Sequence, residues 1–129
     1  MRDQALSNKE TVEKYIGFYN DKNIDAMLEL FSGDVVFESV SNTTGVVRTE
    51  NREQLRDLAL RSVALFEERC QTASGWVASG DDVAVEIDFR CRLAGDFPDA
   101  EKAGREMKLR GASFFTIRDG LIVRLADYM

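Results

Sequence analysis

The sequence predicts an α+β domain, with helices gathered toward the N-terminal end and a curved antiparallel sheet built mainly from the second half. Three observations carry that expectation. Apolar residues recur at helical spacing in three stretches before about residue 66. From about residue 69 the period changes to two. The strand-like runs then follow one another through tight turns at Ser79–Asp82 and Asp119-Gly120, too short for the crossovers that parallel strands need.

Each element has its own signal. Ser7-Asn8-Lys9-Glu10 has capping-box spacing and predicts a helix start there, with Val12, Tyr15, Ile16 and Tyr19 on one face. Asn20 to Asn23 reads as a break. A short second helix follows, carrying Ile24, Met27, Leu28 and Phe31, with Gly33 placed to end it in a left-handed conformation. Val35, Val36, Phe37 and Val40 form a first strand, and Ser41 to Thr49 reads as a loop. Asn51 and Gln54 are a capping pair for a third helix faced by Leu55, Leu58, Ser62, Leu65 and Phe66. Cys70, Thr72, Ser74 and Trp76 alternate in the next strand. Val83, Val85, Ile87, Phe89 and Cys91 alternate with Glu86, Asp88, Arg90 and Arg92, giving one apolar and one charged face. After a connection at 94–104 holding the only proline, Met107, Leu109, Gly111, Ser113, Phe115 and Ile117 alternate, and Leu121 to Tyr128 returns as the last strand.

Turn geometry sets which side chains point inward. A turn centred between Gly80 and Asp81 pairs Trp76 with Val85, Ser74 with Ile87, Thr72 with Phe89 and Cys70 with Cys91, all on one face. The two cysteines are then cross-strand neighbours, read as buried thiols, with a disulfide or a reactive thiol as the alternative. At Asp119-Gly120, a two-residue turn pairs Ile117 with Ile122 and buries Arg124. A three-residue loop with a bulge at Gly120 pairs Ser113 with Leu125 and Gly111 with Asp127. The second is preferred because it makes a consistent apolar face of Leu121, Val123 and Leu125. It also turns Asp127 inward.

Composition removes several classes of function. Residues 1–129 read as one domain, with a formal net charge of −6 that argues against nucleic acid and against anionic lipid as partners. No stretch approaches a membrane span and the first residues lack the apolar core of a signal peptide, so cytoplasmic residence is the default expectation. There is no histidine, which excludes Ser-His and Cys-His nucleophile pairs, and two cysteines are too few for a zinc site. No metal and no cofactor is expected.

Two stretches resemble a known group. Ile24-Asp25-Ala26-Met27-Leu28-Glu29-Leu30-Phe31 leads into Asp34-Val35-Val36-Phe37. Phe114-Phe115-Thr116-Ile117-Arg118-Asp119-Gly120-Leu121-Ile122-Val123, followed by Asp127-Tyr128, resembles the closing hairpin of nuclear-transport-factor-2-like domains. The SnoaL-like polyketide cyclases are the nearest branch, with ketosteroid isomerases and limonene-epoxide hydrolases as relatives. The resemblance implies a cone of curved sheet with three helices over its concave face and a pocket at one end. It also implies a homodimer through the outer sheet face. Of the epoxide-hydrolase residues only the final aspartate has a counterpart, Asp127. Phe37 and Ser39 stand at the tyrosine and asparagine positions, and Ile87 and Phe89 at the arginine and aspartate positions. Epoxide hydrolysis by that route is therefore not expected. Ser39 also stands where the isomerases carry their general base. In the SnoaL-like cyclases one aspartate acts as acid and base, and Asp127 is the candidate for it.

Asp127 among Leu125, Phe115, Val85 and Ile87 would have its pKa raised by desolvation, which suits proton transfer near neutral pH. The alternative is a solvated carboxylate at a frayed strand end. Tyr15 and Tyr19 could donate to a substrate oxyanion or be ordinary core aromatics. Ser39 and Ser113 could orient a ligand or bond to backbone. Phe37, Trp76, Phe89, Phe115, Met107 and Leu109 face inward and would line a pocket for a small hydrophobic molecule, or simply fill the core. Gly111 marks a kink, a bulge or a close approach. Two readings follow: a cofactor-free isomerase or cyclase using Asp127, and a non-catalytic ligand-binding or dimerisation module of the same fold.

Overall fold

A computed structural model describes residues 4–94 and 104–129. The helices are α1 (Gln4–Asn20), α2 (Ile24–Leu28) and α3 (Arg52–Leu65). The strands are β1 (Phe31–Ser41), β2 (Gly45–Thr49), β3 (Phe66–Ser79), β4 (Asp82–Leu93), β5 (Glu106–Arg118) and β6 (Leu121–Tyr128). They form one sheet in the order β2-β1-β6-β5-β4-β3. The α+β class is as the sequence predicts. All ladders are antiparallel except β1–β6, which is parallel, so the sheet is mixed. The meander from β3 to β6 delivers its last strand beside β1 running in the same direction.

Several local expectations are corrected. Helix α1 is already formed at Gln4, so Ser7 lies inside it and its carbonyl accepts from Thr11 Oγ1 at 3.3 Å. The extra turn is held by the β3–β4 hairpin: Gln4 Nε2 donates to Asp81 Oδ1 at 2.7 Å and Asn8 Nδ2 to the Gly80 carbonyl at 3.2 Å. Helix α2 stops at Leu28, and Gly33 lies within β1 without a left-handed φ. The Leu30 N–H closes the last turn on the Met27 carbonyl at 3.1 Å, and Phe31 is already in the core at 1% exposure. Residues 45–49, expected in a loop, form strand β2 against β1. Their side chains are mostly exposed, so they carry no apolar alternation. The α3 cap is as expected, with Asn51 Oδ1 accepting from the Gln54 N–H at 2.8 Å. Leu55 and Ala59 bury that helix, Leu65 is exposed and Phe66 already belongs to β3. Pro98 and its connection lie outside the described residues.

The helices cover one face of the sheet. Phe31, Ile87, Phe115, Ile117, Ile122 and Leu125 are among the fully buried side chains of the core. The other face carries the charges expected of it: Arg110 pairs with Asp88 at 3.3 Å and with Glu86 at 4.0 Å. Among the described residues, no helix is long and apolar enough to cross a membrane.

Two bulges decide what the concave face presents. Trp76 pairs with Val85 as expected, but Ala73 then pairs with Ile87, leaving Ser74 as an extra residue. A one-residue insertion moves every later side chain to the opposite face. Gln71 therefore faces Phe89, and Arg69 faces Cys91. Thr72 and Cys70 turn outward, and Cys70 pairs with Arg90. The predicted Cys70–Cys91 neighbours are on opposite faces, and both thiols are free.

The second bulge reconciles the rival turn geometries. Asp119 (φ 52°) and Gly120 (φ 78°) form a two-residue turn, so the three-residue loop is incorrect and Ile117 pairs with Ile122. Thr116 then pairs with Arg124, leaving Val123 extra. The inward set is Ile122 (0% exposed) and Leu125 (1%), while Leu121 is 39% exposed. Asp127 still shares the inward face, opposite Ser113 rather than Gly111.

Candidate functional site

One row of side chains crosses all six strands. Trp76, Val85, Ser113, Asp127, Ser39 and Val47 are successive ladder partners from β3 to β2. Asp127 is the only ionisable member. Ser113 Oγ donates to Asp127 Oδ1 at 2.6 Å, and Ser39 is its partner on the other side. Among the described residues Asp127 makes no ion pair. The residue keeps some accessible surface, yet its carboxyl group is surrounded by protein. Desolvation raises its pKa from 3.8 to about 6, against the opposing pull of the Ser113 hydrogen bond.

Helix α1 lays two phenols over this row. Tyr15 is 5% exposed, with its ring 5.6 Å from Phe31 and 5.5 Å from Phe115. Tyr19 is 6.2 Å from Tyr15 and 6.4 Å from Phe89, centroid to centroid. Burial pushes both phenols above their ordinary pKa, and the Asp127 charge pushes the same way. Both therefore remain hydrogen-bond donors near neutral pH.

The sequence reading missed two residues of this face, Arg69 and Gln71, each 6% exposed. Both are carried inward by the Ser74 bulge. The Gln71 amide pulls both phenols toward lower pKa, against the larger effect of burial. Its backbone is fixed by Asn20, whose Oδ1 accepts from the Gln71 N–H at 2.7 Å and whose Nδ2 donates to the Gln71 carbonyl at 2.9 Å. The Arg69 guanidinium lies 3.8 Å from the centre of the Tyr19 ring. The small pair Ser74-Gly75 in mid-strand was the available signal, since glycine inside a strand often marks a bulge.

The remaining predicted positions divide into core and open surface. Phe37, Val85, Ile87, Phe89, Phe115 and Leu125 are packed into the core. Trp76 and Met107 are half-buried, with Lys9 Nζ 5.0 Å from the Trp76 ring centre. Leu109 shares the concave face through its pairing with Phe89 but is 40% exposed. Its exposed side opens on a groove shared with Cys70, Phe89, Arg90 and Lys108. Gly111 has a specific explanation. A Cβ there would collide with the Tyr128 carbonyl oxygen and lie 2.6 Å from Met129 Cγ. The close approach is that of the chain's own last residues. Two grooves, of about 350 and 390 Å³, lie along β3–β5 around Cys70 and Arg90, apart from Asp127.

The sequence matches the model of one family, the SnoaL-like domain, over residues 12–125. The chain belongs to the SnoaL-like domain family. No curated protein sequence matches it. Solved structures do. IdmH of Streptomyces antibioticus, a proposed polyketide cyclase, superposes with a TM-score of 0.79 at 20% identity, covering 93% of this chain and 89% of that one. A Catenulispora acidiphila protein with a ketosteroid isomerase-like fold, solved in complex with trimethylamine, gives 0.77 at 22% identity, covering 93% and 85%. An LEH-like epoxide hydrolase of M. tuberculosis gives 0.78 at 16% identity, covering 98% and 84%. At these identities the likeness establishes the SnoaL-like fold, while the chemistry rests on the residues of this chain.

Proposed function

We propose that this SnoaL-like domain binds a small, largely apolar molecule on its concave face and moves a proton on it with Asp127, without a cofactor. The observation that carries the reading is a desolvated carboxyl with a pKa of about 6, without an ion pair among the described residues and held by Ser113 beneath two phenols. Ionised Asp127 takes a proton from a carbon next to a carbonyl. The C–H electron pair shifts toward the carbonyl oxygen, which becomes an enolate, and a Tyr15 or Tyr19 hydroxyl donates a hydrogen bond to it. The protonated carboxyl then returns its proton, either to another carbon in an isomerisation or to the alkoxide of an intramolecular aldol closure. Ser39 and Ser113 orient the acid and the ligand.

The test is a screen for deuterium exchange into enolisable aromatic and cyclic ketones by the wild-type chain and by Asp127→Asn. Exchange by wild type that falls by a hundredfold or more in the variant is the expected outcome. Exchange unchanged by the substitution would remove Asp127 from the chemistry and leave the non-catalytic binding module as the reading. On the outer face, Phe114 (44% exposed) stacks edge-on with Tyr128 at 5.6 Å, and we infer that this patch pairs two copies of the chain. Sedimentation of wild type as a monomer at micromolar concentration would overturn that pairing.

A further inference from the structure

The concave face has two polar ends. Asp127, Ser39 and Ser113 form one. Arg69 and Gln71 form the other, where the Tyr19 ring lies against Arg69 with Tyr15 beside it. Among the described residues, no ion pair joins Arg69 to Asp127.

Arg69 is 6% exposed, yet its partners among the described residues are neutral. Nη1 donates to Ser62 Oγ and Nη2 to the Tyr19 carbonyl oxygen, each at 3.3 Å, and the plane rests on the Tyr19 ring. Nε is buried without any hydrogen-bond partner, and no carboxylate pairs with the guanidinium among the described residues. A buried cation of this kind is strongly disfavoured unless an anion completes it, and a buried unpaired donor calls for an explanation. Among the described residues, a positive charge at one end of the concave face thus has no carboxylate partner. Leu109, 40% exposed, lies in the same row as Gln71, through their common partner Phe89.

We propose that Arg69, with Gln71 beside it, receives a carboxylate carried by an otherwise apolar ligand whose body lies over Leu109. The ligand class is an aromatic or cyclic carboxylic acid. Arg69 is a ligand-anchoring residue and takes no part in bond making. The assignment rests on the concave face being the ligand site, but not on Asp127 performing proton transfer.

The experiment compares 2-naphthoate with 2-naphthamide, which share a ring system and differ in charge. Each is titrated calorimetrically into the full chain at pH 7.5. Wild type is expected to bind the acid at least about tenfold more tightly than the amide, as a charge-assisted contact requires. Arg69→Met and Arg69→Gln, the second still able to bond Ser62 or the Tyr19 carbonyl, are each expected to lose that preference while amide affinity stays within about twofold. Equal affinities in wild type, no saturable binding of the acid, or a preference that survives both neutral variants would overturn the proposal. So would a parallel loss of both ligands, which marks a purely structural role. Asp127→Asn is expected to keep the preference. Its retention alongside undiminished proton exchange in that variant would sink the acid/base reading and leave the anchor standing.

Discussion

Ser113 Oγ donates a 2.6 Å hydrogen bond to Asp127 Oδ1 from the strand directly beside it, and that bond works against the burial that raises the carboxyl's pKa. The balance leaves the acid near 6, where it can both take and return a proton close to neutrality. Two bulges, at Ser74 and Val123, place the surrounding groups.

Removing the hydroxyl should unbalance the pair. In Ser113→Ala the carboxyl keeps its desolvation and loses the bond to its charged form. Its titration midpoint is expected to rise above that of wild type, followed by carboxyl carbon NMR across pH 4–9. A midpoint that stays put or falls would mean that water replaces the serine.

The same burial sets an unusual pH dependence of stability. Folding raises the Asp127 pKa from 3.8 to about 6, so in that window the folded chain binds more protons than the unfolded one. Stability from this group is therefore highest below the unfolded value and falls as pH rises through about 6, by up to about 3 kcal/mol. Asp127→Asn is neutral throughout and escapes the loss. In urea denaturation the variant is expected to gain about 1–3 kcal/mol on wild type between pH 4 and pH 7. A difference that does not change with pH would show a solvated carboxylate.

The Ser74 bulge separates the two thiols. Cys91 is 3% exposed and burial raises its pKa, whereas Cys70 is on the outer face and half-buried. Thiol titration of the native chain should give one faster and one slow reaction, the faster one lost in Cys70→Ser. Mild oxidation should not join the pair within one chain. An intramolecular disulfide would restore the bulge-free register.

Gly111 holds the end of β6 in place by having no side chain. In Gly111→Val the new Cβ meets the Tyr128 carbonyl oxygen, a backbone atom that cannot swing aside. The variant is expected to lose about 1–3 kcal/mol, and Asp127 should titrate lower as its strand end loosens. Unchanged stability would mean that the last residues have another resting place.

The fold was legible because long alternating runs leave little choice of face. Residues 83–91 and 107–117 fell where their period placed them. Helix boundaries were less so: the start of α1 is set by contacts to Gly80 and Asp81, more than seventy positions away. Strand β2 carries exposed valines and reads as loop until β1 is beside it. At the site, Asp127 was found by a pairing that was itself incorrect, because the Val123 bulge and the supposed Gly120 bulge turn that residue the same way. Arg69 and Gln71 were missed, and Cys70 and Thr72 placed inward instead, because an inserted residue leaves no trace in the alternation beyond it.

The parallel ladder between β1 and β6 has a kinetic consequence. Ser39 and Asp127 sit side by side although about 90 residues of chain separate them. The strands from β3 to β6 close by hairpins and can zip locally, whereas the β1–β2 pair must wait for the last strand before it can join them. Assembly should therefore proceed from the β3 edge toward β1, with the two halves of the proton-transfer row meeting late. By the same reasoning the amides along that seam are expected to exchange with solvent sooner than those of β4, so that the chain can loosen around its ligand face while most of the sheet stays intact.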